Sequence, residues 1–167
     1  MVEKITHLGQ LLAIIVSHKF SEPGIKFFTP NEFSQQLAYM RHPTGREIQP
    51  HVHNPVPREV TFTQEVLFIK SGKLRVDFYS DNQNYLESRV LEANDTILLI
   101  TGGHGFQVLE EVEMLEVKQG PYVGDRDKTR FDAQPSSHVP RPENIPMVAS
   151  VPAAESVPQE RDKLLEV

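Results

Sequence analysis

Two histidines separated by one residue, His51 and His53, stand in the stretch GREIQPHVHN. On a strand, alternate side chains share a face, so both imidazoles would leave together. That spacing chelates. A carboxylate, Glu65, follows twelve residues after His53 and opens the run EVLFIKSGKLRVDFY; a third imidazole, His104, arrives just after the paired glycines Gly102 and Gly103. Three neutral imidazoles and one carboxylate suit a divalent transition metal ion such as iron, manganese, nickel or zinc, and an octahedral ion would keep two positions open. Such an ion polarises a carbonyl or enolate oxygen as a Lewis acid or, as iron, binds dioxygen.

The bland alternative is that an H-x-H pair is solvated on an edge strand and that Glu65 only caps a hairpin. The joint occurrence of H-x-H, the Glu65…Gly72 spacing and the later Gly-Gly-His favours the metal reading. Glu59 is nearer to His53 than Glu65 is, but it lies beside Arg58 in a loop with no matching glycine downstream. His7, His18, His42 and His138 lack ligand spacing and read as surface histidines.

The elements that must position these side chains are strands. LLAIIV at 11–16 is rich in β-branched residues and reads as a strand buried on both faces. IKFF at 25–28 alternates briefly before Pro30, and a strand is expected over about 35–41. Pro43-Thr44-Gly45 turns the chain into the strand carrying His51 and His53, with Pro50 placing that strand at an edge or bulge. Asn54 to Arg58 is too proline-rich to continue it. In the next run Glu65, Leu67 and Ile69 share one face, with Val66 and Phe68 on the other. Apolar residues on both faces imply cover from the N-terminal strands or from a partner subunit. Ser71-Gly72 reads as a hairpin turn, followed by the alternating KLRVDFY; YLESRVL, TILLI, FQVLE and VEMLEV complete the set. Short strands, turn residues between them and almost no helical period describe an antiparallel sandwich or barrel.

The motif residues resemble those of the cupin superfamily, whose first motif is written G(X)5HXH(X)3-4E(X)6G. Gly45 stands six positions before His51, and Glu65 seven before Gly72, as that motif asks. The interval from Asn54 to Gln64 is longer than the family's. The second motif departs further, with Asn94 for its first glycine, Ile100 for its proline and a single residue between Gly102 and His104. The resemblance covers roughly residues 38–117 and implies a jelly roll over 1–131 that includes the N-terminal covering strands. The run KQGPYVGDRDKTRF is similar to that of small bacterial cupins of sugar-nucleotide and surface-polysaccharide pathways. The implied function is a metal-dependent isomerase, epimerase or dioxygenase acting on a small sugar-like or carboxylate substrate; a non-catalytic metal- or sugar-binding module is the alternative. The long loop would stand at the barrel mouth, with Arg58 available to a carboxylate or phosphate. Phe106, sharing the parity of His104, would line the cavity. Lys118, Gln119 and Tyr122 are placed for proton transfer by position alone.

Composition sets the bounds. With 167 residues, 38% hydrophobic and 24% charged, one globular core is expected. A net charge of −6 and no basic cluster argue against nucleic acid. No cysteine is present, so disulfides and thiolate metal sites are excluded. The apolar run 11–16 is too short to span a bilayer and the first ten residues lack a signal-peptide pattern, so a cytoplasmic protein, a homodimer by its apolar sheet face, is expected. From Asp132 onward lie six of the thirteen prolines, with serine, alanine and alternating charge; residues 132–167 read as an extended or disordered tail.

Overall fold

A computed structural model describes residues 1–133 and 144–145. The expected tail lies almost wholly outside these residues; within it Ile145 is described and is buried. The described chain is all-β, with no α-helix and one short 3-10 turn. No helix among the described residues is long and apolar enough to cross a membrane.

The described chain forms two compact units, one comprising Met1–Phe20 and the described residues that follow Val60, the other comprising Ser21–Val60. In the first, strands β1 (Val2–His7) and β2 (Gln10–Val16) make a hairpin. Leu8 and Gly9 both take positive φ at its tip, the backbone that a tight two-residue turn demands. As expected for a strand buried on both faces, Leu12, Ala13, Ile14 and Ile15 are all buried. β2 pairs with β7 (Thr96–Leu99), and β7 pairs with the first residues of β5 (Glu65–Tyr79). β6 (Tyr85–Glu92) pairs with the second half of β5 along the edge that β7 shares. β8 (Gly103–Lys118) runs along the whole of the other edge. The result is one antiparallel sheet, curled strongly into a half-barrel.

Two sequence expectations are corrected here. Ser71-Gly72 does not turn a hairpin: Glu65–Tyr79 is one continuous strand. Leu67 and Ile69 are odd-numbered, Leu74, Val76 and Phe78 even-numbered, yet all five belong to the same buried cluster. A change of face is therefore needed between them. The sequence offers it as a turn, whereas the structure makes it by slipping the β5–β8 register around Ser71 and Lys73. Gly72 sits at φ +80, and a Cβ there would lie 1.9 Å from the Glu111 carbonyl oxygen. Only glycine allows so close an approach, and such bulges sharpen the local bend of a sheet. Nor do the N-terminal strands cover the second face of β5; they extend the same sheet edge to edge. Phe68 on that face remains 37% exposed, with Leu115 and Val117 exposed beside it on β8.

The core lies inside the curl, where Ile5, Leu12, Ile15, Leu67, Ile69, Leu74, Val76, Phe78, Leu91 and Ile97 are all nearly inaccessible. Each such side chain contributes on the order of 1.5–3 kcal/mol by leaving water. Two of the acids buried around it, Glu3 and Asp95, are matched. Glu3 on β1 meets the Arg89 guanidinium of β6 at 2.8 Å, and Arg89 also reaches Glu87. Asp95 accepts from the backbone N–H groups of His18 and Glu92 and contacts the His18 ring, fixing the β6–β7 turn against the end of β2.

The second unit is built on a hairpin of β3 (Gly24–Phe27) and β4 (Ala38–Arg41), close to the strands expected there. Its loop is organised by Thr29 and Gln36: the Thr29 hydroxyl donates to Gln36 Oε1, and the Gln36 amide donates to the carbonyls of Pro30 and Phe33. The expected strand through His51 and His53 is absent, since residues 42–64 carry no strand. Prolines at 43, 50, 55 and 57 remove the donors that a ladder through this segment would need.

Candidate functional site

Glu65 is the first residue of β5, and its position is set by a clamp between neighbouring glutamines. The Gln64 N–H donates to Gln119 Oε1 at 3.1 Å, and the Gln119 N–H donates to the Gln64 carbonyl at 3.1 Å. This pins the start of β5 to the end of β8. Lys118 is the register partner of Glu65, and its ammonium stands 3.4 Å from Glu65 Oε1. His104 belongs to the opposite end of β8, where its register partner is Phe78. Yet His104 Nε2 lies 3.2 Å from Glu65 Oε2. The curl of β5 and β8 brings their two ends together, so one carboxylate, 9% exposed, is gripped from both. The bulge at Gly72 lies between those ends and contributes to that curl.

Lys118 has a second acid partner, Asp127, supplied by the short 3-10 turn Gly124–Asp127. The chain beyond that turn returns over the β8 start, where Phe131 packs edge-on against Tyr79 with ring centroids 5.1 Å apart. Room for this contact comes from Gly103, where an added Cβ would meet Phe131 at 3.2 Å and Tyr79 at 3.1 Å. These parts enclose a cleft of about 780 Å³, lined among others by Thr61, Thr63, Glu65, His104 and Lys118. Its size is that of a small-molecule site.

The electrostatics follow from the contacts. The hydrogen bond from His104 holds the Glu65 carboxyl below its ordinary value; burial opposes this, and the His104 and Lys118 charges reinforce it. Asp127 raises the Lys118 ammonium above its ordinary value, against the effect of burial and with further help from Glu65. Glu65 is therefore an ionised acceptor at neutral pH and Lys118 a fixed cation. In its uncharged form, a His104 ring that donates Nε2–H to Glu65 carries its lone pair on Nδ1. Burial pushes the Tyr79 hydroxyl up, so it stays a phenol.

The four residues expected as metal ligands fall into two pairs. Glu65 and His104 meet in the first unit, as described. In the second, His51 and His53 are exposed, with ring centroids 5.3 Å apart and planes nearly perpendicular. His51 Nδ1 lies 3.0 Å from the Gln49 carbonyl, a contact that assigns its proton to Nδ1 and leaves Nε2 with a free lone pair. No group of three or more potential ligands occurs among the described residues. Arg58, also in the second unit, is exposed and reaches the Val56 carbonyl. Phe106 stands beside His104, ring centroids 5.3 Å apart, and is 42% exposed; the lining of the cleft runs through His104 and Gly105 instead.

Sequence reasoning passed over Asp127, Tyr79, Arg126, Lys128 and Arg130. Their signal was weak, because the segment after β8 has no periodicity and only an alternation of charges, DRDKTR, to mark it. Comparison of the chain with family models, curated proteins and solved structures gave no match.

Proposed function

We propose that the cleft of the first unit is the functional site and that it takes a small polar anion, a sugar-like acid or another carboxylate, on which Glu65 and His104 carry out proton transfer. The observation that carries this reading is the single buried carboxylate held between His104 at 3.2 Å and Lys118 at 3.4 Å inside a ligand-sized cleft. A carboxylate that accepts from one imidazole N–H leaves the other ring nitrogen to take up a proton. His104 Nδ1 would take the proton from the carbon next to a carbonyl. The electron pair moves onto the carbonyl oxygen, where Lys118 offsets the developing charge, and return of the proton to a neighbouring position or the other face completes an isomerisation or epimerisation. The resemblance to cupins, and with it a jelly-roll lineage for the half-barrel, supports the same substrate class.

A second reading is favoured by His51, whose Nδ1 contact with Gln49 leaves the ligating nitrogen free, as second-sphere carbonyls do for metal-bound histidines. His51, His53, Glu65 and His104 have the donor chemistry for iron, manganese, nickel or zinc, which when bound would supply Lewis acidity. Against it stands the Lys118 ammonium on the Glu65 carboxylate, which competes with a cation for the same oxygens.

Both readings are tested by a thermal-shift screen of hexuronic, aldonic and keto acids, followed by NMR detection of deuterium uptake from D2O into whichever compound binds. Binding and exchange in the natural protein, both lost in Glu65→Gln and His104→Gln, are expected. Binding without exchange would make the chain a non-catalytic ligand-binding module. Binding unaffected by either substitution would overturn the site. Elemental analysis of the same samples decides the second reading, which requires near one equivalent of metal that His51→Ala removes.

A further inference from the structure

From the charge on one wall of the cleft, we infer that its ligand carries a phosphate group, held by Arg126, Lys128 and Arg130; the inference rests on the assignment of this cleft as the functional site. The three residues follow one another at alternate positions from the 3-10 turn into extended backbone, and all three line the cleft. Each is exposed, and none is in an ion pair among the side chains described, whereas Lys118 below them is held by both Glu65 and Asp127. The cleft thus has a floor where one ammonium meets two carboxylates and a wall of three cations outside any described ion pair, with Asp81 the remaining carboxylate of the lining.

In sequence the segment 125–132 is balanced, three aspartates against three cations, but Asp127 is taken up by Lys118 and no described side chain forms an ion pair with Arg126, Lys128 or Arg130. A single guanidinium in bidentate contact satisfies a carboxylate. Three cations in succession match a group with more oxygens and more than one charge, and guanidinium geometry suits phosphate oxygens. The segment is also anchored at both ends: Asp127 is tied to Lys118 and Phe131 packs on Tyr79. The wall is therefore held in place next to Glu65 and His104, and a ligand bridging the two would present phosphate to the wall and its carbonyl or hydroxyl end to the floor.

Isothermal titration with inorganic pyrophosphate, glucose 1-phosphate and glucose, at low and at physiological salt, tests this. Binding of both phosphate compounds but not of glucose is expected, weakened at least tenfold in Arg126→Ala/Arg130→Ala. Pyrophosphate affinity should stay within about twofold in Lys19→Ala, which removes an exposed cation outside the cleft lining. Thermal melts of each variant identify any that fails to fold; for such a variant Arg126→Gln/Arg130→Gln replaces the alanine pair. Absence of pyrophosphate binding to the natural protein, or equal binding by the arginine variant, overturns the phosphate inference. If a non-phosphorylated acid meanwhile binds in a Glu65-dependent manner, the cleft assignment stands and only the phosphate inference fails.

Discussion

The bulge at Gly72 lies midway along β5, where the β5–β8 register slips, and Gly72→Ala measures its worth. Gly72 has φ +80, and an alanine Cβ would come to 1.9 Å from the Glu111 carbonyl oxygen, against about 3.4 Å in ordinary contact, so the two strands must part by about 1.5 Å. A backbone hydrogen bond near 2.9 Å does not survive such a displacement. Losing two or three ladder bonds beside the bulge costs about 1 kcal/mol each. The left-handed backbone adds roughly 1–2 kcal/mol for any residue with a Cβ. The total is about 3–5 kcal/mol, or roughly 10–15 °C in melting temperature for a protein of this size. Gly9→Ala is the control: Gly9 has φ +81 but nothing within 4 Å of its added Cβ, so only the backbone penalty of about 1–2 kcal/mol applies. Urea and thermal unfolding followed by far-UV circular dichroism would compare the two. Equal losses for Gly72→Ala and Gly9→Ala would refute the close-packed bulge.

Other outcomes follow from the ion pairs. Because the folded Glu65 carboxyl sits below its ordinary 4.5, its pairing stabilises the fold above that pH and is lost as pH falls through the lowered value. An acid titration of stability should therefore be shallower over this range in Glu65→Gln, and an unchanged slope would count against the pairing. Arg89→Ala removes the guanidinium that Glu3, with its side chain 7% exposed, meets at 2.8 Å, and should cost up to about 3–5 kcal/mol. Adding Glu3→Gln should recover part of that loss in the same urea titration, since the buried charge is then gone. Elemental analysis of the natural protein and His51→Ala should give near one equivalent of transition metal lost in the variant if the H-x-H pair and Glu65–His104 share an ion, and none in either sample if the cleft works without one.

Much of the strand content was legible in the sequence because it rests on side-chain chemistry that acts locally. The run 11–16 is apolar at every position and rich in β-branched residues, which favours a doubly buried strand over a helix, and β6 and β7 fall where their alternation and flanking turns put them. Gly72 was legible as a special residue but not as a bulge, because a hairpin turn and a bulge both call for positive φ and both reverse which parity faces the core. What decides between them is the partner strand, β8, more than thirty residues further along. Glu65 and His104 were recognised as partners through their motif spacing, and the structure brings them together by the curl of two long strands. Lys118 was marked only by position; its place on Glu65 is set by register. Asp127 and the cationic wall depend on a segment whose path is fixed by one ion pair and one aromatic contact, Phe131 on Tyr79, neither of which leaves a periodic trace.

The central claim is that an ionised Glu65 fixes His104 as the base of the cleft. Long-range 1H–15N correlation of the histidine side chains near neutral pH, in the natural protein and in Glu65→Gln, tests it directly. The expected result is a His104 ring protonated at Nε2 with Nδ1 free in the natural protein, and loss of that single-tautomer pattern in Glu65→Gln. The same tautomer pattern in both proteins would refute the claim.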